Sequence, residues 1–195
     1  LSRNLPIMNN EKTKLAINGG KKTININFSR YNTIGSEEAE AASAVMQSGV
    51  LSDFVGAPGS NFLGGYQVKL FESDFKSQFK VDNAISVNSW TSGLIASVGA
   101  LDVSPGDEII VSPWSMCASA TAIIHWNAIP IFADIEYDTY NLDPVDVIRK
   151  ITKRTKAIMS VDIFGHSAPI NELNKIAKKY NLKIIEDCAQ SAGAL

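Results

Sequence analysis

The sequence contains few cysteines, almost no net charge and no long apolar run. Its 195 residues include two cysteines that lie far apart, so neither a disulfide framework nor a zinc site is indicated. The formal net charge of −2 gives no reason to expect nucleic acid or an anionic membrane as a partner. No apolar run is long enough to cross a bilayer, and the first ten residues lack the apolar core of a secretory signal. We therefore expect a reduced, cytoplasmic protein without a membrane or nucleic-acid partner.

Histidine is equally scarce. The two histidines, His125 and His166, have no neighbours at metal-ligand spacing. We assign both to structural positions and expect no metal site.

The chain divides by pattern near residue 36. Residues 1–35 are polar and irregular, with "INGGKK" as a turn, and residues 36–195 carry the apolar periodicity of a folded domain. A helix is predicted from Ser36, as its N-cap, to Gly49. The Gly-, Pro- and Ser-rich stretch 52–65 follows as a loop, before a second helix with an apolar face (Val68, Phe71, Phe75 and Phe79).

Short runs rich in Ile and Val alternate with helical segments after residue 83. The predicted strands are "AISV" (84–87), "EIIVS" (108–112), "IPIFAD" (129–134), "AIMSVDI" (157–163) and "KIIED" (183–187). Such runs are typical of strands covered on both faces, which indicates an α/β fold with a predominantly parallel sheet and flanking helices. Helices are expected to begin at Asp143-Pro144 and near Pro169, the latter ending at Asn181. Ligands bind such sheets beyond the carboxyl ends of the strands.

The stretch "VNSWTSGL" enters a predicted helix near Thr91. The free N–H groups of a helix start, with the hydroxyls of Ser89, Thr91 and Ser92, suit a phosphate group. Ordinary N-capping explains the same hydroxyls, and the segment matches neither the Walker nor the Rossmann glycine pattern.

Two further strand ends carry candidate ligand-binding residues. In "SPWSMCASA", Trp114 or Met116 could stack on a flat ligand, or could belong to the core. Asp187 stands where a buried strand stops, where a carboxylate is costly without a cation or several donors. It could cap a helix, form a structural ion pair or accept from a protonated ring nitrogen on a cofactor, with Gln190 donating to the same ligand. Strand alternation turns Glu186 to the opposite face, so the two carboxylates are not expected to act as a pair.

The ordered stretches "SPGDEIIVSPWSMCASATAII", "AIPIFADIEYDTYNLDP", "KRTKAIMSVDIFG" and "LKIIEDCAQSAGA" resemble the DegT/DnrJ/StrS-type sugar-nucleotide aminotransferases. The resemblance runs from about Ser36 to Leu195. It implies a fold-type-I aminotransferase architecture that binds pyridoxal 5′-phosphate (PLP), with residues 36–195 as a partial large domain. It also implies a nucleotide-sugar substrate, glutamate as the amino donor, and a homodimer.

The same resemblance assigns five positions to the cofactor site. Asp187 would pair with the pyridinium nitrogen of PLP, and Gln190 would contact the cofactor near its phenolic oxygen. Thr91 would hold the phosphate, with Trp90 standing where the family has a small residue, and Met116 would cover a face of the ring.

The resemblance places the Schiff-base lysine downstream of residue 195, so we expect no catalytic residue within the chain and no turnover from these residues alone. Two alternatives remain. Similar proteins that carry histidine in place of the lysine dehydrate deoxysugars. A non-catalytic half-protein could instead act as a binding or assembly subunit.

Overall fold

The computed structural model describes residues 14–194, which fall into two compact units, 14–52 and 53–194. The first unit contains a single 3₁₀ turn, Ala16–Asn18, and helix α1, Ser36–Ser48. The predicted turn and the predicted helix end are confirmed, because Gly19 and Gly49 both adopt positive φ. The predicted N-cap is wrong by one position. Gly35 is the N-cap, and its N–H donates to the Glu38 carboxylate at 2.7 Å.

The second unit alternates helices with strands. Its helices are α2 (Tyr66–Phe79), α3 (Trp90–Gly99), α4 (Cys117–His125), α5 (Pro144–Lys150) and α6 (Ile170–Tyr180). Its strands are β1 (Glu108–Val111), β2 (Ile129–Phe132), β3 (Thr155–Val161) and β4 (Lys183–Asp187). The predicted boundaries at Asp143-Pro144 and Asn181 are confirmed, since Asp143 accepts from the Val145 N–H and Asn181 ends α6 in a left-handed conformation.

The four strands form one parallel sheet in the order β2-β1-β3-β4. The chain moves outward from β1 to β2 and then returns past β1 to β3. The order therefore reverses between β1 and β3, and a crevice opens at such a point beyond the carboxyl ends of the strands. β4 bonds only to β3 and forms one edge of the described sheet.

Helices cover both faces of the sheet, which is why its strands are apolar on both sides. On one face α3 and α4 pack over β1, β3 and β4, through residues such as Leu94, Ile123 and Met159. On the other face α5 and α6 pack over the same strands and β2, through residues such as Val147, Leu173 and Ile158. The predicted α/β class with a parallel sheet and flanking helices is confirmed.

The predicted strand at 84–87 is wrong. These residues are irregular, and no strand pairs with them in the described part of the chain. The N–H and the hydroxyl of Ser86 bond instead to Oε1 of Glu72 on α2, at 2.8 and 3.0 Å. A side chain of α2 thus takes the donor that a strand partner would use.

Among residues 14–194, no helix combines the length and the apolar character required to cross a membrane.

Candidate functional site

The residues at the carboxyl edge of the sheet come from three neighbouring strand ends. The segment 112–116 follows β1, Asp162 follows β3, and Asp187 ends β4. Because the sheet is parallel, these ends lie along one edge, next to the crevice between β1 and β3.

Asp187 is a buried carboxylate with two hydrogen-bond donors. It is only 4% exposed, its Oδ2 accepts from the Ser119 hydroxyl at 2.9 Å, and its Oδ1 accepts from the Ala189 N–H at 3.2 Å. Ser119 lies on α4, so this bond joins β4 to the helix that follows β1. A carboxylate offers about four acceptor positions, which leaves capacity for a further donor. Glu186, its neighbour, is exposed, as strand alternation predicts.

Met116 is the N-cap of α4 and is 70% exposed. Its carbonyl accepts from the Ser119 N–H at 3.2 Å, which places Met116 one helical turn before the serine that holds Asp187. The hydroxyls of Ser115 and Ser119 lie 2.9 Å apart. The side chain of Met116 is therefore free to cover a ligand beside Asp187.

Gln190 is oriented by the backbone that follows β3. Its Oε1 accepts from the Phe164 N–H at 2.6 Å. Because a backbone N–H can bond only to the oxygen of the amide, this contact fixes which end of the amide faces Phe164. The NH₂ group therefore stays available as a donor to another partner. Gln190 can thus offer a donor to an anionic oxygen.

The start of α3 holds the remaining predicted residues. Ser89 is the N-cap, and its Oγ accepts from the Ser92 N–H at 3.2 Å, so the capping interpretation of Ser89 is correct. Thr91 is exposed at the second helical position. Free backbone N–H groups and the positive end of the helix dipole remain available to an anion there.

Trp90 is 46% exposed and lines a cleft of about 400 Å³. Phe71 and Phe75 of α2, the segment 84–87 and Ile185 of β4 line the same cleft. The other four predicted residues do not line it. The structure thus brings Asp187 near Met116 through Ser119 and places Trp90 at a neighbouring cleft.

The family model described as the DegT/DnrJ/EryC1/StrS aminotransferase family matches residues 32–195. The chain belongs to this family. Most of its sequence falls within the match, which confirms the resemblance inferred from the motifs.

Individual members of the family agree with this assignment. The dTDP-3-amino-3,6-dideoxy-alpha-D-galactopyranose transaminase of Aneurinibacillus thermoaerophilus is 44% identical over 133 residues, covering 68% of the chain and 36% of the relative. The solved aminotransferase of Psychrobacter cryohalolentis superposes with a TM-score of 0.76 at 31% identity, over 86% of the chain and 40% of its own. A GDP-4-keto-6-deoxymannose-3-dehydratase, solved with a trapped PLP-glutamate geminal diamine, gives a TM-score of 0.75 at 26% identity, over 85% and 42%.

These neighbours confirm the fold-type-I aminotransferase architecture, and PLP is the cofactor of this group of enzymes. The chain spans about two fifths of the length of the relatives that it matches.

The donors and acceptors described above fit PLP in three respects. The spare acceptor capacity of Asp187 suits a protonated ring nitrogen, the NH₂ of Gln190 suits a phenolic oxygen, and the start of α3 suits a phosphate. These groups lie on β4, on the loop that follows it and at the start of α3.

Three polar residues of this edge were not predicted from the sequence: Ser119, Asp162 and Ser191. All three are buried. Asp162 ends the run "AIMSVD" just as Asp187 ends "KIIED", so a carboxylate directly after a buried strand was the available signal. For the two serines no local signal exists, because their partners lie 68 and 29 residues away.

Asp162, Glu186 and Cys188 bring one oxygen or sulfur atom each to within 4.8 Å of the others. Partial desolvation of its carboxyl group raises the pKa of Glu186, although the residue as a whole is exposed, and the charge of Asp162 adds to the effect. Burial, with the nearby charges of Glu186 and Asp162, raises the pKa of Cys188 to about 11. The thiol therefore stays protonated at neutral pH, in which form it is a poor nucleophile.

Proposed function

We propose that the chain is the cofactor-binding part of a PLP-dependent transaminase that acts on a nucleotide-linked sugar or cyclitol. The amino group would come from glutamate and pass to a keto group of the sugar. The observation that carries the proposal is the buried carboxylate of Asp187, which Ser119 holds at the carboxyl edge of the sheet and which can accept a further hydrogen bond. The 44% identical relative, a dTDP-sugar transaminase, supports the choice of substrate class.

PLP, when bound, supplies an electron sink for amino-group transfer. Asp187 would accept a hydrogen bond from the ring nitrogen and keep that nitrogen protonated. Ser119, by donating to Oδ2, fixes the direction in which the carboxylate presents its remaining lone pairs. Met116 would cover one ring face and exclude water from it.

Gln190 would donate its NH₂ to the phenolic oxygen, since its Oε1 is already bonded to the Phe164 N–H. Thr91 and the N–H groups at the start of α3 would hold the phosphate. Trp90 is the first residue of α3 and directly precedes Thr91. Its indole lines the neighbouring cleft, so its backbone N–H can face a phosphate while its side chain points elsewhere.

We place the lysine that holds the cofactor covalently outside these 195 residues, and expect no turnover from a polypeptide limited to them. We further propose that residues 36–195 form part of the large domain after an irregular segment, 1–35, and that the whole protein is a cytoplasmic homodimer. A deoxysugar dehydratase is the second candidate, supported by the TM-score of 0.75 to a GDP-sugar 3-dehydratase.

Cofactor binding tests the assignment of Asp187. Pyridoxamine 5′-phosphate is the suitable probe, because its amine cannot form an imine with surface lysines. Asp187→Asn should weaken its binding about tenfold, as expected when a charged hydrogen-bond partner is lost. Glu186→Gln is the matched control, since it changes the adjacent carboxylate on the opposite face, and should leave the dissociation constant within about twofold.

Equal effects of the two variants would contradict the proposed role of Asp187.

Borohydride treatment of the chain with PLP tests the placement of the lysine. A stoichiometric adduct on one specific lysine among these residues would overturn it. Assays of ketosugar amination and of sugar dehydration by the lysine-containing polypeptide would separate the two candidate functions.

A further inference from the structure

Asp162 is a buried carboxylate to which the proposed mechanism gives no task. It follows β3 directly and is 3% exposed. Its Oδ1 accepts from the Ala168 N–H at 2.9 Å, and its Oδ2 accepts from the Ser191 hydroxyl at 2.8 Å. One oxygen thus holds the loop that follows β3, and the other holds the loop that follows β4.

The loop after β4 is tied to the loop after β3 at three places. The Asp162 N–H donates to the carbonyl of Asp187 at 3.1 Å, the Ser191 hydroxyl donates to Asp162, and the Phe164 N–H donates to Gln190. A Cβ on Gly165 would lie 3.1 Å from the carbonyl of Gln190, so the two backbones also touch.

Gln190 sits within this set of contacts. Asp187 fixes the loop three residues before it, and Ser191 fixes the loop one residue after it. A free glutamine side chain loses considerable rotamer entropy when it is ordered. Contacts that order it before a ligand arrives remove that loss from the binding step.

We propose that Asp162 is a positioning residue for the cofactor site. By holding Ser191, it fixes the loop 188–194 so that the Gln190 amide is bonded to Phe164 and presents its NH₂ to the phenolic oxygen of the cofactor. The inference rests on the proposed function for its ligand, but the linkage between Asp162 and Gln190 is a property of the protein alone.

Amide hydrogen exchange tests that linkage without any ligand. The Phe164 N–H reports on the Gln190 bond, and the Met159 N–H in β3 serves as an internal reference for global stability. Ser191→Ala removes one hydroxyl and keeps Asp162 in place, so it is the least disruptive variant. It should raise the exchange rate of Phe164 at least fivefold relative to Met159, and Gln190→Ala should do the same.

Asp162→Asn is the conservative variant. Its amide oxygen can accept from the Ala168 N–H, and its NH₂ can donate to the Ser191 oxygen. Asp162→Asn should therefore retain most of the exchange protection of the Phe164 N–H, whereas Asp162→Ala should lose it. Asp146→Ala is the matched control, because Asp146 also joins two segments, by accepting from the Asp134 N–H at 2.8 Å, but touches neither loop. It should leave the Phe164 rate unchanged relative to Met159.

Affinity for pyridoxamine 5′-phosphate tests the positioning role. In the wild-type chain, Gln190→Ala should weaken binding about tenfold. In the Ser191→Ala background the same change should weaken binding less than threefold, since the amide is no longer held. If Asp162 had a merely structural role, Gln190→Ala would weaken binding by the same factor in the wild type and in the Ser191→Ala background. Such additive effects would overturn the proposal.

The proposed function and the positioning role of Asp162 can be refuted separately. Absence of pyridoxamine 5′-phosphate binding at millimolar concentration would count against the proposed function, and the exchange rates would still decide the linkage. An unchanged Phe164 rate in Ser191→Ala would overturn the positioning role, whatever the chain binds.

Discussion

Replacing Ser119 by alanine tests the most important contact of the candidate site. The change removes the hydroxyl that donates to the Asp187 carboxylate and leaves the helix-forming tendency of α4 intact or improved. Asp187, which is 4% exposed in the wild-type structure, would keep one donor, the Ala189 N–H at 3.2 Å.

The magnitude follows from the charge and burial of the acceptor. A hydrogen bond to an ionised group contributes about 1.5–3 kcal/mol, and a buried acceptor that loses its partner cannot recover that energy from water. We therefore expect Ser119→Ala to lower the free energy of unfolding by about 2 kcal/mol, which corresponds to a roughly 30-fold change in the unfolding equilibrium constant.

Urea denaturation at pH 7, followed by circular dichroism, measures this loss. The midpoint should fall while the m-value stays constant. Ser97→Ala is a suitable control, because Ser97 is an exposed serine on α3, and its replacement should change stability by less than about 0.5 kcal/mol.

A double-mutant cycle with Asp187→Ala shows whether the loss belongs to this pair. In that background, Ser119→Ala should cost almost nothing further, which gives a coupling energy of about 2 kcal/mol. A cost below about 0.5 kcal/mol in the wild type, or full additivity in the cycle, would refute the reasoning.

Two other features of the second unit make measurable predictions. Gly99→Ala should destabilise the protein by about 1–3 kcal/mol, because the added Cβ would overlap the Trp126 indole. Gly93→Ala on the same helix meets only an ordinary 3.5 Å contact and should stabilise the protein by about 0.5–1 kcal/mol. Thermal melts that fail to separate the two variants would contradict this expectation. The hydrogen bond from Thr152, with the Arg154 ion pair, holds the pKa of Glu108 below its usual value. The stabilisation from Glu108 is therefore present above the unfolded pKa of about 4.3 and is lost as the pH falls through the folded pKa. Glu108→Gln should make the free energy of unfolding, measured by urea titration from pH 7 to pH 3, depend less steeply on pH, and an unchanged pH dependence would contradict the assignment.

Local signals explain the part of the fold that the sequence predicted correctly. The cap at Asp143, the left-handed ends at Gly49 and Asn181, and the short apolar runs that form β1 to β4 all depend on residues close together in the chain. The run 84–87 has the same local signal, yet a strand also requires a neighbour, and the Ser86 donors bond to Glu72 instead. Pairing is a non-local property that a short apolar run does not encode.

The candidate site divides in the same way. A carboxylate that ends a buried strand is visible in the sequence, so Asp187 could be singled out. Ser119 and Ser191 could not, because they acquire a role only when the fold brings distant segments together. The NH₂ orientation of Gln190 depends on the Phe164 backbone in the same manner. The sequence therefore singles out candidate residues at the strand ends better than it identifies the residues that orient them.

The charges of β4 limit which strand could add to the edge that β4 forms in the described sheet. Its five residues, Lys183 to Asp187, include three charged ones. A second copy of β4 aligned in parallel and in register would bring Glu186 against Glu186, and like charges directly opposite each other are destabilising. The charged side chains thus disfavour the parallel, in-register addition of an identical strand at this edge.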